Sequence, residues 1–173
     1  MIQALDPAAA LSCSDELRHV YRAAFGAPGY DEDAAAAERF AAEQLPTHAG
    51  RAGFKLVAAR GPDGELTGFA YGYTGERGQW WSDRIVETAP EIADDWVGGH
   101  FEFVELAVVP AAQGQGLGGA LHDALMAHLP HSKALLSTYA DDRPAPRLYR
   151  RKGWQLLHPD LTPTSALYGK KLR

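Results

Sequence analysis

Four glycines fall within six residues in the run Gln113-Gly114-Gln115-Gly116-Leu117-Gly118-Gly119, which directly follows Val108-Val109-Pro110. Residues of these types at this spacing suit the binding of an anion. The first turn of a helix leaves N–H groups without intrahelical acceptors and carries about half a positive charge. Glycines let a phosphate reach those groups without meeting a Cβ. Each glycine inside a helix costs up to about 1 kcal/mol relative to alanine, so a function is expected in return. The alternative is a glycine-rich turn that binds nothing.

Two other nucleotide sites compete for the same residues. A Walker-type loop needs Lys and then Ser or Thr after its last glycine, whereas Gly119 is followed by Ala120 and Leu121. The dinucleotide fingerprint G-x-G-x-x-G fits Gly114, Gly116 and Gly119, and Asp141 lies 22 positions further on, where a ribose-binding acid would sit. That reading would make the chain a Rossmann-type, NAD-binding oxidoreductase. Only 54 residues remain after Gly119, too few for the rest of a doubly wound domain.

Such a loop needs a strand leading in and a helix leading out. Residues 101–109 form a near-continuous apolar run carrying Glu102 and Glu105, and residues 117–129 place Leu117, Leu121, Leu125 and Leu129 on one stripe. Upstream, residues 12–25 predict a helix capped by Ser12 or Ser14 and ended by Gly26 and Pro28. Residues 31–45 predict a second helix, with acids in its first turn and Pro46 as its stop. Strands are expected at 54–59 and 66–74, joined by the turn Gly61-Pro62-Asp63-Gly64. Downstream come a strand at 134–139, a helix at 144–152 ended by Gly153, and closing strands at 154–157 and 166–172. The pattern breaks over residues 75–99, which hold Trp80, Trp81, Trp96, six acids and Gly98-Gly99. This stretch predicts a long, partly helical loop that faces a substrate, the alternative being a plain surface excursion. The order of elements implies an α/β fold, a mixed sheet covered by helices.

A chain of 173 residues fits one domain spanning 1–173, and 46% apolar with 23% charged residues is ordinary for a soluble globular protein. The net charge of -5 argues against a nucleic-acid partner and suits a cationic one. The lone Cys13 allows no intramolecular disulfide, and residues 1–10 lack a secretory pattern. No apolar run approaches the roughly 20 residues of a membrane helix, so no membrane partner and a cytoplasmic location are expected. No metal is expected either: there is no H-E-x-x-H, and His122 and His128, six apart on a helix, are expected at the surface. No G-x-S-x-G elbow offers a serine nucleophile.

Gln113, Gly116 and Gly118 match the acetyl-CoA motif Gln/Arg-x-x-Gly-x-Gly/Ala, after a strand end Val108-x-Pro110. A second block, Ala-x-x-x-Tyr followed by Gly-Phe or Gly-Trp, is matched by Ala145, Tyr149, Gly153 and Trp154. With both blocks on the expected elements, the sequence resembles the GNAT superfamily of N-acetyltransferases, chiefly over residues 54–154. That resemblance implies a central, mostly antiparallel sheet splayed between its fourth and fifth strands and flanked by helices. It also implies acetyl-CoA as cosubstrate and direct acetyl transfer to a primary amine of a small molecule or peptide. Backbone groups of Leu106, Ala107 and Val108 would pair with the pantetheine arm, and residues Gln113, Gly114, Gln115, Gly116, Leu117, Gly118 and Gly119 would hold the pyrophosphate. Asp142 stands near the CoA position where the family often has Asn. An acyl-CoA-binding domain without catalysis is the alternative, and the resemblance leaves a homodimer open.

An alkyl ammonium of pKa about 10.4 is free amine to about 1 part in 2,500 at pH 7, a deficit of roughly 4.6 kcal/mol. A carboxylate, a water chain from one, or desolvation must remove the proton. By the resemblance Glu105 and Glu102 are the candidates; an odd offset puts them on opposite faces of the strand. Tyr149 would hydrogen-bond or protonate the departing thiolate, and transfer from a phenol to a thiolate is uphill by roughly 2 kcal/mol. The acids and tryptophans of residues 75–99 point to a small, cationic amine as the acceptor.

Overall fold

A computed structural model describes residues 1–30 and 32–173. The chain divides into two compact units that interleave in sequence: Met1–Tyr73 with Glu105–His128, and Thr74–Val104 with Leu129–Arg173. Strands β3 (Leu66–Gly75) and β4 (His100–Val108) each contribute residues to both units.

The first unit opens with β1 (Ile2–Leu5) and α1 (Pro7–Ser12), neither of which periodicity predicts. β1 pairs antiparallel with β2 (Lys55–Arg60), and β2 pairs antiparallel with β3. Asp6 caps α1 by accepting from the Ala9 N–H at 2.8 Å, and Pro7 takes the first helical position, where its missing N–H costs nothing. The Ser12 hydroxyl bonds back to the Ala8 carbonyl, and α2 (Ser14–Phe25) starts without a side-chain cap. The expected cap at Ser12 or Ser14 is therefore not made: Cys13 stands at the N-cap of α2, and Asp6 caps the separate helix α1. Gly26 ends α2 as expected.

The helix expected over 31–45 is also revised, its start at Asp31 lying outside the described residues. Asp33 caps α3 (Ala34–Arg39) by accepting from the Ala36 N–H. A π-helical turn, Phe40–Gln44, then leads into α4 (Leu45–Ala49). Pro46 stops nothing: it sits in the first turn of α4, where proline is tolerated. Phe40 is buried, stacked between Tyr21 and Phe69 at 4.6 and 5.6 Å between ring centroids.

Helix α7 (Leu117–Met126) packs on β2 and completes this unit. It stops three residues short of Leu129, and His128 takes a positive φ of 58°. Lys55 donates to the carbonyls of Ala124 (3.1 Å) and Ala127 (2.7 Å), closing the helix end with a cation where the dipole is negative. Gly68 permits the approach of α7, because a Cβ there would come within 2.9 Å of Leu121 Cδ1.

In the second unit, residues 75–99 are partly helical, as expected, and pack into a core. They form α5 (Trp80–Thr88) and α6 (Pro90–Trp96), ended by Gly98 and Gly99 at positive φ. Ile85, Ala93, Trp96 and Val97 bury themselves against Leu135, Leu161 and Leu167. β5 (Lys133–Tyr139) pairs antiparallel with β7 (Ser165–Lys171), and β7 with β6 (Gln155–Thr162). Helix α8 (Pro144–Arg151) precedes β6, and Gly153 turns the chain at φ 83°.

β4 and β5 run parallel, with Phe101 opposite Ala134 and Glu102 opposite Leu135 at the start of both strands. Strand order is β1-β2-β3-β4-β5-β7-β6. The fold is thus a mixed, mostly antiparallel sheet with flanking helices. Its antiparallel strand pairs exclude the doubly wound parallel sheet that the dinucleotide reading needs. Among the described residues no helix is long and apolar enough to cross a membrane.

Candidate active site

β4 ends at Val108, Pro110–Ala112 form a 3₁₀ turn, and Gly116 is the N-cap of α7. Gly114 and Gly116 take φ of 73° and 82°, conformations that disfavour most side chains, and an added Cβ at either would meet nothing within 4 Å. Gly116 has no side chain to cap the first turn of α7, so the N–H groups of Leu117, Gly118 and Gly119 carry the positive end of the helix dipole. This cradle fits a pyrophosphate. Gln113 and Gln115 brace it from within, Gln113 donating to the Val108 carbonyl (2.9 Å) and Gln115 to that of Ala111 (3.3 Å). Beside it lies a cleft of about 390 Å³, lined in part by Arg60, Thr67, Gln115 and Gly116.

The same unit holds Glu105, three residues before the end of β4. Gln44 Nε2 donates to Glu105 Oε1 at 3.2 Å and to Tyr71 Oη at 3.0 Å. His48 Nδ1 lies 2.9 Å from the same Tyr71 oxygen. Burial pushes the Glu105 carboxyl up to about 8; the Gln44 hydrogen bond opposes the rise and the Glu32 charge adds to it. Burial, with the Arg51 charge, pushes His48 down to about 4, so its ring is neutral near pH 7. Burial and the Glu105 charge hold the Tyr71 phenol well above its ordinary value.

That shift matters for chemistry. Passing a proton from an alkyl ammonium to an ordinary glutamate is uphill by about six pKa units, roughly 8 kcal/mol. With a carboxyl at about 8 the gap narrows to roughly 3 kcal/mol.

Glu102 points the other way, as its odd offset from Glu105 requires. It is 2% exposed in the second unit, with His100 Nε2 at 3.7 Å from its Oε1. His100 itself is fully buried over Gly75, accepts from the Gly98 N–H at Nδ1, and neighbours His131, which bonds Thr74 Oγ1 at 2.8 Å. Glu102 therefore belongs to a buried polar cluster.

Tyr149 lies on α8, 5% exposed, its ring edge-on to Phe103 (5.7 Å) and Trp154 (6.1 Å). Asp142 is ion-paired with Arg150 across the start of α8. His122, expected at the surface, is buried, while His128 is exposed. Leu121 and Leu125 are fully buried in α7, and His122 beside them bonds Asp123 Oδ1 at 2.9 Å. Among the described residues no group of three or more His, Cys, Asp or Glu could hold a metal.

Sequence reasoning missed Gln44, Tyr71 and His48. Tyr71 and His48 carry no motif. Gln44 reads as one more polar position in a regular helix, and the π turn that re-aims it leaves no periodic trace.

Residues 14–154 match the family described as Acetyltransferase (GNAT) family. The chain is 40% identical over 106 residues to a GCN5-like protein acetyltransferase of Mycobacterium tuberculosis, a match covering 56% of this chain and 52% of that protein. It thus spans about half the length of that relative. The PaiA N-acetyltransferase of Thermoplasma acidophilum, solved with coenzyme A, is similar with a TM-score of 0.66 at 13% identity, over 99% of both chains. A GNAT family acetyltransferase of Brucella melitensis, solved with acetyl-CoA, gives 0.63 at 19% identity, over 100% of this chain and 88% of that one. At these identities the likeness of the two structures is one of fold.

Proposed function

The chain belongs to the acetyltransferase (GNAT) family, and on that premise we propose that it moves an acetyl group from acetyl-CoA directly to a primary amine, with Glu105 taking the amine's proton. The observation that carries this reading is the placement of the Glu105 carboxyl, hydrogen-bonded by Gln44 on the strand that runs into the glycine cradle, where burial pushes it up to about 8.

Acetyl-CoA supplies a thioester carbon that an uncharged amine can attack. In the transfer a C–N bond forms and the C–S bond breaks. The amine's proton goes to Glu105, and the leaving sulfur takes a hydrogen bond, and then a proton, from Tyr149. Near neutral pH the ionised form of Glu105 is a minority species, matched in basicity to its task better than an ordinary carboxylate. The cradle N–H groups of residues 114–119 hold the pyrophosphate in this reading, with the backbone of Leu106, Ala107 and Val108 serving the pantetheine arm. Asp142, committed to Arg150, offers CoA no free carboxylate.

The acceptor in this reading is a small cationic amine. Trp80 is 71% exposed and stacks on Trp81, and Glu87, Glu91, Asp94 and Asp95 are exposed along α5 and α6. An indole face and carboxylates attract an ammonium. Trp96 contributes nothing to such a surface, because it is buried.

The test is free-thiol release from acetyl-CoA across a panel of amines, with kcat/KM followed against pH. Activity that rises with pH to a plateau above about 8, and a Glu105→Gln variant that loses this limb, support the reading. Turnover unaffected by Glu105→Gln removes Glu105 as the base, and CoA binding without turnover of any amine removes the transfer.

A further inference from the structure

Gln44 is the last residue of the π-helical turn, and its single amide nitrogen serves two acceptors, Tyr71 Oη at 3.0 Å and Glu105 Oε1 at 3.2 Å. An amide NH₂ has two protons, one for each. Tyr71 Oη, having accepted one of them, has a single proton left to give, and the acceptor beside it is His48 Nδ1 at 2.9 Å. The ring of His48 is uncharged near pH 7, so Nδ1 can be that acceptor, with the ring proton on Nε2. Every donor then points one way along Gln44, Tyr71 and His48.

This direction decides which end of the Gln44 amide faces Glu105. If the amide turned over, its carbonyl would repel the ionised carboxylate and be satisfied only by the protonated acid. Tyr71 would have to turn its proton to Gln44 and take one from His48 Nδ1, a change of His48 tautomer. We propose that Tyr71 and His48 lock the Gln44 amide with its NH₂ group toward Glu105, making Gln44 the positioning residue of the proton-accepting carboxylate. The inference rests on the reading of Glu105 given above.

The π turn is the local device that makes this geometry. One residue is added to the helical turn, so Gln44 is rotated relative to a regular α-helix while Phe40, at the other end of the turn, stays buried among Tyr21 and Phe69. Single π turns inside helices occur frequently at functional sites. The other groups around the chain are Glu32, which opposes ionisation of Glu105, Tyr73, and Arg51, which lies 4.6 Å over the Tyr73 ring and favours the neutral form of His48. None of them replaces the Gln44 donor.

The experiment has two readouts on the same variants: a carbon-13 NMR titration of the Glu105 carboxyl, and the pH profile of thiol release from acetyl-CoA with the best amine of the panel. In Gln44→Leu the carboxyl midpoint moves to higher pH. Activity falls about tenfold below the wild-type midpoint and recovers well above it, as the loss of one hydrogen bond to a charged group predicts. His48→Phe, which removes the terminal acceptor, moves the midpoint the same way, and His48→Asn, which restores an acceptor near Nδ1, brings it back. A carboxyl midpoint unmoved in Gln44→Leu overturns the proposal, as does a His48→Phe shift that His48→Asn leaves in place. If the carboxyl midpoints move as expected while the activity profile stays flat, the positioning chain stands and Glu105 is not the base. Circular dichroism on each variant separates these outcomes from unfolding, and Gln44→Leu carries the test alone if His48→Phe does not fold.

Discussion

The indole of Trp96 lies directly against Gly169: a Cβ at that glycine would come within 2.6 Å of Trp96 Cζ3 and 2.5 Å of Leu157 Cδ1. Lys171 covers the other part of the ring, its Nζ 4.2 Å from the centroid. One added methyl must therefore displace a buried tryptophan of the second unit and the Leu157 side chain beside it. Gly169→Ala is expected to destabilise by about 1 to 3 kcal/mol, the usual cost of overpacking. Urea denaturation followed by tryptophan fluorescence measures it, and a variant as stable as the parent would show that Trp96 is free to move.

The phosphate cradle can be tested without any amine. Coenzyme A is expected to raise the melting temperature, since a ligand that binds only the folded state stabilises it. Gly116→Asp places a carboxylate where phosphate is read to sit, and asparagine or aspartate tolerates the positive φ of 82° better than most residues. The variant should fold, and its response to coenzyme A should vanish. A preserved shift would move the pyrophosphate elsewhere.

Glu105 also sets a pH dependence of stability. Its folded carboxyl, at about 8, stands above the unfolded value near 4.5. Below the unfolded value both states hold the proton and nothing is lost. As pH rises from there toward 8 only the unfolded state releases it, so the folded state loses stability across that window. Glu105→Gln removes the ionisation while keeping the shape. It should match the parent at pH 4 and exceed it at pH 8 by on the order of 1 kcal/mol, solvent screening reducing the full linkage value. Equal stability at both pH values would contradict the raised carboxyl.

Tyr149→Phe keeps the ring that packs on Phe103 and Trp154 and removes only the hydroxyl. The reading given to Tyr149 predicts a fall in kcat of about 10- to 1,000-fold, with acetyl-CoA affinity nearly unchanged. Full activity would leave Tyr149 as an aromatic packing residue.

If acceptor binding uses the acids of α5 and α6, added salt should raise KM for the amine while kcat holds, because screening weakens encounter between exposed charges. Replacing Glu87, Glu91, Asp94 and Asp95 by Gln or Asn should have the same effect at low salt. Neutral or acidic amines proving the best substrates would reject the cationic acceptor.

The glycine cradle and the elements flanking it were legible because they rest on local rules: an apolar run, a Val-x-Pro strand end, glycines at the helix start and a leucine stripe along α7. The buried Trp96 was not legible, because indole and carboxylates close in sequence look the same whether a helix turns them outward or inward. What leaves room for it is Gly169, more than seventy residues away in the chain. Gln44 was hidden for a different reason. A π turn changes which face a residue occupies without changing composition, so its pairing with Glu105, Tyr71 and His48 exists only in three dimensions.

The interleaving of the two units bears on how the chain is made. Synthesis proceeds from the N-terminus, at about 5 to 20 residues per second. The first unit needs Glu105–His128 to be complete, and the second needs Leu129–Arg173. Neither can close while the ribosome is still within the first hundred residues, and β1 to β3 must wait with an open edge for β4. Cutting the gene between α6 and β4 would give two fragments that each lack a large part of a unit. Such fragments should be soluble only when expressed together, so complementation of the halves, and not folding of either alone, is the natural assay for a split version of this protein.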